Sequence, residues 1–133
     1  MARVILDTGV LIKAARRRLP LDTLAAQDDL AVPAIVLTEF LVGVEMDPDD
    51  ARRATQRSFL DAIVAVVPVV DYTRKVVPHH VDLLTYTRRA GRPRGPLDLV
   101  IAASARATER ILLTDARAAF EDLPGVSVRV LDG

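Results

Sequence analysis

Four carboxylates stand where solubility does not require them. Asp7 closes the apolar run "RVILD" (3–7), and Asp115 directly follows the apolar run "ILLT" (111–114). Asp98 sits in the first turn of a helix opened by "GPLD", and Glu39 lies inside "AIVLTEFLVGV". Three of these have ordinary explanations. Asp7 and Asp115 suit helix N-caps, where a carboxylate accepts from a backbone amide of the next turn. Asp98 would complement the positive end of its helix. Glu39 is harder to place. Its neighbours at i−4, i−3, i+3 and i+4 are Ile35, Val36, Val42 and Gly43, none of them polar. Burying an unpaired carboxylate costs several kcal/mol unless it is protonated, paired or metal-bound. Glu39 is therefore a candidate ligand, and Gly43 is read as room for another backbone to approach beside it.

Taken together, the four suggest one chemistry. Carboxylates gathered at one end of a sheet repel one another unless a cation joins them. Mg²⁺ or Mn²⁺, hard ions that prefer oxygen ligands, would resolve that repulsion. A carboxylate-held ion activates water and stabilises the leaving oxygen of a phosphodiester. Thr8 and Thr114 flank the outer pair, and their hydroxyls would steady a ligand or an ion-bound water. There are no cysteines, and the adjacent His79 and His80 fall at a helix start away from the acidic segments. A zinc site is poorly supported, and the histidines are expected to face solvent.

The elements that must position these residues follow from apolar patterning. Five segments read as strands: 3–7, 30–33, 66–71, 111–114 and 126–131. Helices are expected over 8–17, 34–46, 49–66, 73–91 and 95–109, with a short one within 115–123. "DPDD" marks the third start, Gly91 a C-cap, and Pro96 the first turn of the fifth. Alternating strands and helices mean an α/β domain with a mostly parallel sheet. Ligand sites in such sheets lie outside the carboxyl ends of the strands, where Asp7 and Asp115 fall.

The 133 residues, half of them hydrophobic, suit a single domain over 1–133 with a sizeable core. The absence of cysteine fits a reducing interior. No secretory leader is apparent, and no apolar run reaches the roughly 18 residues of a membrane span. A soluble, cytoplasmic protein without a membrane partner is expected. The net charge of zero exerts no whole-molecule pull on nucleic acid. Lysine occurs only at 13 and 75; every other basic residue is arginine. A GC-rich genome would produce such a bias, but the clustering at 16–18, 52–57 and 88–94 is more specific. Arginine forks match phosphate oxygens, and Arg89, Arg92 and Arg94 in "RRAGRPRG" are candidate RNA-backbone contacts just before Asp98.

"ILDTGVLI", "VLTEFLVGV", "PLDLVIAASA" and "ILLTDARAAFEDLPGVSV" occur in this order across nearly the whole chain. In this the chain resembles the PIN-domain ribonucleases, and among them the VapC-type toxins of bacterial toxin–antitoxin pairs. The resemblance implies a parallel sheet of order 3-2-1-4-5 with helices on both faces. It places the family's acidic ligands on Asp7, Glu39, Asp98 and Asp115, with Thr114 as the neighbouring hydroxyl. It implies a Mg²⁺- or Mn²⁺-dependent endoribonuclease in which a metal-activated water leaves 5′-phosphate and 3′-hydroxyl ends. A small antitoxin covering the site and a homodimer are its expected partners, with the apolar helix 34–46 one possible surface. Some relatives carry a further acidic residue three positions after the late aspartate; here Ile101 stands there, leaving open whether one metal binds or two.

Two other classes compete. A haloacid-dehalogenase-type phosphatase wants an aspartate two residues after Asp7, where Gly9 stands; a receiver domain wants a late lysine, and none follows Lys75. A non-catalytic PIN module binding RNA or protein is the alternative within the resemblance, and metal binding would discriminate it.

Overall fold

The computed structural model describes residues 1–17 and 19–131, so Arg18 of the first arginine cluster lies outside the described residues. Among these residues five parallel strands form one sheet: β1 (Arg3–Leu6), β2 (Asp29–Pro33), β3 (Val69–Val70), β4 (Ile111–Thr114) and β5 (Val128–Val130). Their order is β3-β2-β1-β4-β5, as the resemblance implies. β1 lies at the centre, with Val4 opposite Leu30 on one side and Ile111 on the other. A central parallel strand is covered on both faces. Accordingly Val4, Ile5, Leu6, Leu112 and Leu113 are essentially inaccessible.

Among the described residues seven helices connect the strands: α1 (Thr8–Ala15), α2 (Leu21–Gln27), α3 (Ala34–Met46), α4 (Asp50–Val64), α5 (Val77–Ala90), α6 (Pro96–Ala107) and α7 (Arg117–Phe120). The chain moves outward from β1 to β3, then crosses to β4 and β5. Right-handed crossovers therefore deliver α1–α4 to one face and α5–α7 to the other. The packing agrees: α1, α3 and α4 contact one another, as do α5 with α6 and α6 with α7. Phe40 of α3 meets Phe59 of α4 with ring centroids 6.0 Å apart.

The helix signals act locally as expected. The Asp49 carboxylate accepts from the Arg52 amide at 2.9 Å, capping α4. Gly91 ends α5 with φ of 65°, a left-handed turn that costs glycine nothing. The main departures lie at α2 and α5. Residues 21–27 form a helix that the apolar pattern does not announce, with Leu21 as its one buried residue. α5 begins at Val77 rather than 73, because Pro78 is favoured in a first turn and disfavoured deeper inside. The third strand shrinks to two residues at the sheet edge.

Candidate active site

β1 and β4 are neighbours, and the strand order reverses between them. Both carboxyl ends open into the crevice where α/β sheets bind ligands. Asp7 leaves β1 there, its amide donating to the Leu113 carbonyl at 3.0 Å. Only 6% of it is exposed. Its Oδ1 accepts from the Thr8 amide and its Oδ2 from the Thr114 hydroxyl, each at 2.7 Å. The capping reading and the site reading therefore both hold, because Asp7 begins α1 while facing the crevice. Thr114 is fully buried, and its oxygen also accepts from the Ala116 amide at 2.9 Å.

Glu39 has a partner from another element. The Thr8 hydroxyl donates to its Oε1 at 2.7 Å, linking α1 to α3. Asp98 enters from the first turn of α6 and is half-buried. A Cβ built on Gly95 would lie 2.7 Å from Asp98 Oδ2, so glycine at that turn gives the carboxylate its room.

The electrostatics show convergence. Burial pushes the Asp7 carboxyl above its ordinary value; the hydrogen bonds from Thr114 and Thr8 oppose this, and the charges of Asp115 and Glu39 add to it. Asp98 is also pushed up, first by burial and then by the charges of Asp7 and Glu39. Three segments distant in sequence thus bring like charges within reach of one another. The donors are all oxygen and carry surplus negative charge, which fits a hard divalent cation. The cage is not preformed: among the described residues no three histidine or acidic side chains already stand in metal-holding geometry.

Asp115 differs from the other three. It is exposed, and its Oδ2 lies 3.3 Å from Lys13 Nζ. Lys13 is a site residue that the sequence pattern did not mark. The available signal was its place four residues after Gly9, one helical turn along the same face of α1, as one of only two lysines.

Several expectations need correction. Arg94 does not extend a free fork towards the crevice; its two terminal nitrogens donate to the Ala119 and Glu121 carbonyls at 3.1 and 3.0 Å, tying the segment before α6 to α7. Arg89 and Arg92 are exposed. Gly43 has no heavy atom within 4 Å of an added Cβ, so no backbone approaches it. His79 and His80 are half-buried rather than solvent-facing. The His80 Nδ1 pairs with the Tyr72 hydroxyl at 2.8 Å, and burial lowers the pKa of His80. Ile101, three positions after Asp98, is wholly buried in the core and offers no extra ligand.

A parallel sheet of this order, with carboxylates gathered at its switch point, defines an α/β domain suited to cation-assisted phosphoester chemistry. Residues 4–125 match the PIN domain family, and the chain belongs to that family. It is 26% identical over 133 residues to the tRNA(fMet)-specific endonuclease VapC of Shigella flexneri, covering 95% of this chain and 96% of that protein. Identity to ribonuclease VapC2 of Rickettsia felis is 26% over 127 residues, 92% of each chain. The structure of VapBC2 from Rickettsia felis bound to a promoter DNA fragment superposes with a TM-score of 0.86 at 25% identity, covering 97% of this chain and 98% of that one. DNA-bound VapBC from Salmonella typhimurium shares the fold, with a TM-score of 0.84, 22% identity and 98% coverage of both chains.

Proposed function

We propose that the chain is an endoribonuclease of the VapC type, the toxin of a toxin–antitoxin pair, and that it works with Mg²⁺ or Mn²⁺. The observation that carries this reading is the meeting of Asp7, Glu39 and Asp98 at the β1–β4 crevice of a PIN domain. Those three residues would hold the ion. Asp115, the fourth expected ligand, would be the outer carboxylate of the group, its charge felt by Asp7 and balanced by Lys13. A bound ion of this kind supplies an activated water and neutralises charge on the phosphodiester.

The chain's own groups prepare that site. Thr114 and the Thr8 amide hold both oxygens of Asp7, and the Thr8 hydroxyl holds Glu39, which orients the two carboxylates and leaves a small rearrangement to close them around an ion. Next to α6, a groove of about 410 Å³ lined by Thr87, Arg88, Gly91, Pro93 and Leu99 offers a path for an RNA strand, with Arg88 as the cation facing it and Arg94 held on α7. The expected partner is a small antitoxin that covers the crevice, since the structural relatives include toxin–antitoxin complexes. A homodimer is part of the same reading, with the exposed Val42 and Met46 of α3 as its surface. Among the described residues no helix is long and apolar enough to cross a membrane, and the reading puts the toxin in the cytoplasm with its RNA.

Purified protein incubated with cellular RNA and Mg²⁺ tests the proposal. Discrete new 5′-phosphate ends are expected; intact RNA with metal bound would favour the non-catalytic module.

The arginines separate by role. Replacing Arg89 and Arg92 with alanine should flatten the salt dependence of RNA binding, by about 0.7 to 0.9 in slope per phosphate contact. Arg94→Ala should leave that slope alone and lower stability by about 1–3 kcal/mol, because two backbone carbonyls lose their donor. Binding titrations over a salt series with parallel melting curves distinguish the two. An equal slope change for all three would return Arg94 to the RNA surface.

A further inference from the structure

We propose that Lys13 binds a phosphate of the RNA strand at the crevice, and that Asp115, lying over Gly9, presents its ammonium there. The inference rests on the ribonuclease reading above. Among the described residues the other ion pairs join Asp28, Asp29, Glu45, Asp47, Asp49, Asp50 and Asp82 to arginines, and none involves a site carboxylate. Lys13 alone of the paired cations meets one, at 3.3 Å from Asp115 Oδ2. A polyanion approaching four carboxylates meets repulsion, and a fixed positive charge at the rim lowers it.

The local packing fits this use. A Cβ on Gly9 would overlap Asp115 Oδ1, so glycine is what lets the carboxylate fold across the start of α1 towards Lys13. Asp115 follows Thr114, whose hydroxyl holds Asp7, so the ammonium is tied to the same strand end as the buried carboxylate. The Lys13 and Asp115 side chains are 27% and 29% exposed, open enough to meet a strand. A pair this exposed is weak and can yield to a phosphate. The ammonium also has three donors, so one can remain on Asp115 while others reach the strand. In a chain that otherwise uses arginine almost throughout, a compact, rotatable head on a flexible stem suits this crowded position.

The experiment measures KM and kcat with Mg²⁺ over a salt series, on a single-stranded RNA oligonucleotide tested first with the wild type. The variants are Lys13→Ala, Lys13→Gln, Lys13→Arg and Asp115→Asn, and Lys13→Ala in an Asp115→Asn background. Lys13→Ala and Lys13→Gln are expected to raise KM about tenfold, the loss of one charged hydrogen bond. They should flatten the salt slope by about 0.7 with kcat little changed. Lys13→Arg should recover most of the loss. Lys13→Ala should still raise KM when residue 115 is asparagine. Unchanged KM and slope in an active wild-type background would overturn the proposal. So would a lysine effect that vanishes with Asp115→Asn while Asp115→Asn alone leaves KM at or below the wild-type value, since Lys13 would then act only by neutralising that carboxylate. A wild type that binds metal but cuts no RNA would overturn the ribonuclease reading itself, and this proposal with it.

Discussion

Asp98→Asn is expected to reduce RNA cleavage by about a hundredfold or more while making the metal-free protein no less stable than wild type. Groups that merely support a ligand cost about 10–100-fold when removed, so a ligand should cost at least the upper end. The stability effect has two opposing parts. Asparagine gives up a charge at the N-terminus of α6, worth about 0.3–1 kcal/mol. It also relieves a carboxylate that burial, Asp7 and Glu39 all disfavour in its ionised form. The raised pKa means that the environment as a whole opposes that ionised form. Its pH dependence follows from linkage. The folded state holds the Asp98 proton more tightly than the unfolded chain, whose carboxyl titrates near 3.8. Between that value and the raised folded one, the folded state carries more protons, so wild-type stability falls as pH rises and then levels. Asp98→Asn removes this share of the fall, so its advantage in EDTA should be small at pH 3 and larger at neutral pH. Melting curves in EDTA at the two pH values check the sign. A variant that is less stable at neutral pH, or that still cuts RNA at the wild-type rate, would make Asp98 only a helix-end charge.

Thr114→Val should cost about 2–4 kcal/mol, roughly 10 °C in melting temperature. Valine nearly reproduces the shape of threonine in a fully buried strand position, so packing changes little. What is lost is the hydroxyl that donates to Asp7 Oδ2 and accepts from the Ala116 amide. Leaving a buried partner unsatisfied costs about 1–3 kcal/mol, and a charged one more. The Thr114 hydrogen bond also opposes the upward shift of Asp7, so its removal should drive the Asp7 carboxyl higher still. Thr114→Ser keeps the hydroxyl and should recover most of the stability. Denaturant unfolding of the three proteins measures this. Wild-type stability in the valine variant would mean that Asp7 does not depend on Thr114.

The fold was readable wherever a pattern had one physical cause. β4 and α3 appear with the expected bounds because "ILLT" is a buried parallel strand and "AIVLTEFLVGVEM" has no competing breaker. α2 escaped because a helix with a single buried residue leaves no periodic apolar stripe to read. The acidic residues could be picked out because carboxylates at strand ends and on apolar helix faces conflict with local expectation. Their partners could not. Thr8 reaches Glu39 from thirty-one positions away, and Arg94 reaches Ala119 of α7 from twenty-five. Both contacts exist only once the sheet has brought α1 beside α3 and α6 beside α7. Lys13 was hidden for the same reason, since on α1 alone it reads as a basic residue near a helix C-terminus.

The claim on which everything else depends is that Asp7, Glu39 and Asp98 act as one hard-ion site. Calorimetric titration of Mn²⁺ into the wild type and into Asp98→Asn tests it most directly, with circular dichroism to establish that both are folded. The account predicts saturable binding by the wild type, competed by Mg²⁺, and binding weakened at least about tenfold in the variant. Equal binding by the two proteins, or none by a folded wild type, would contradict it.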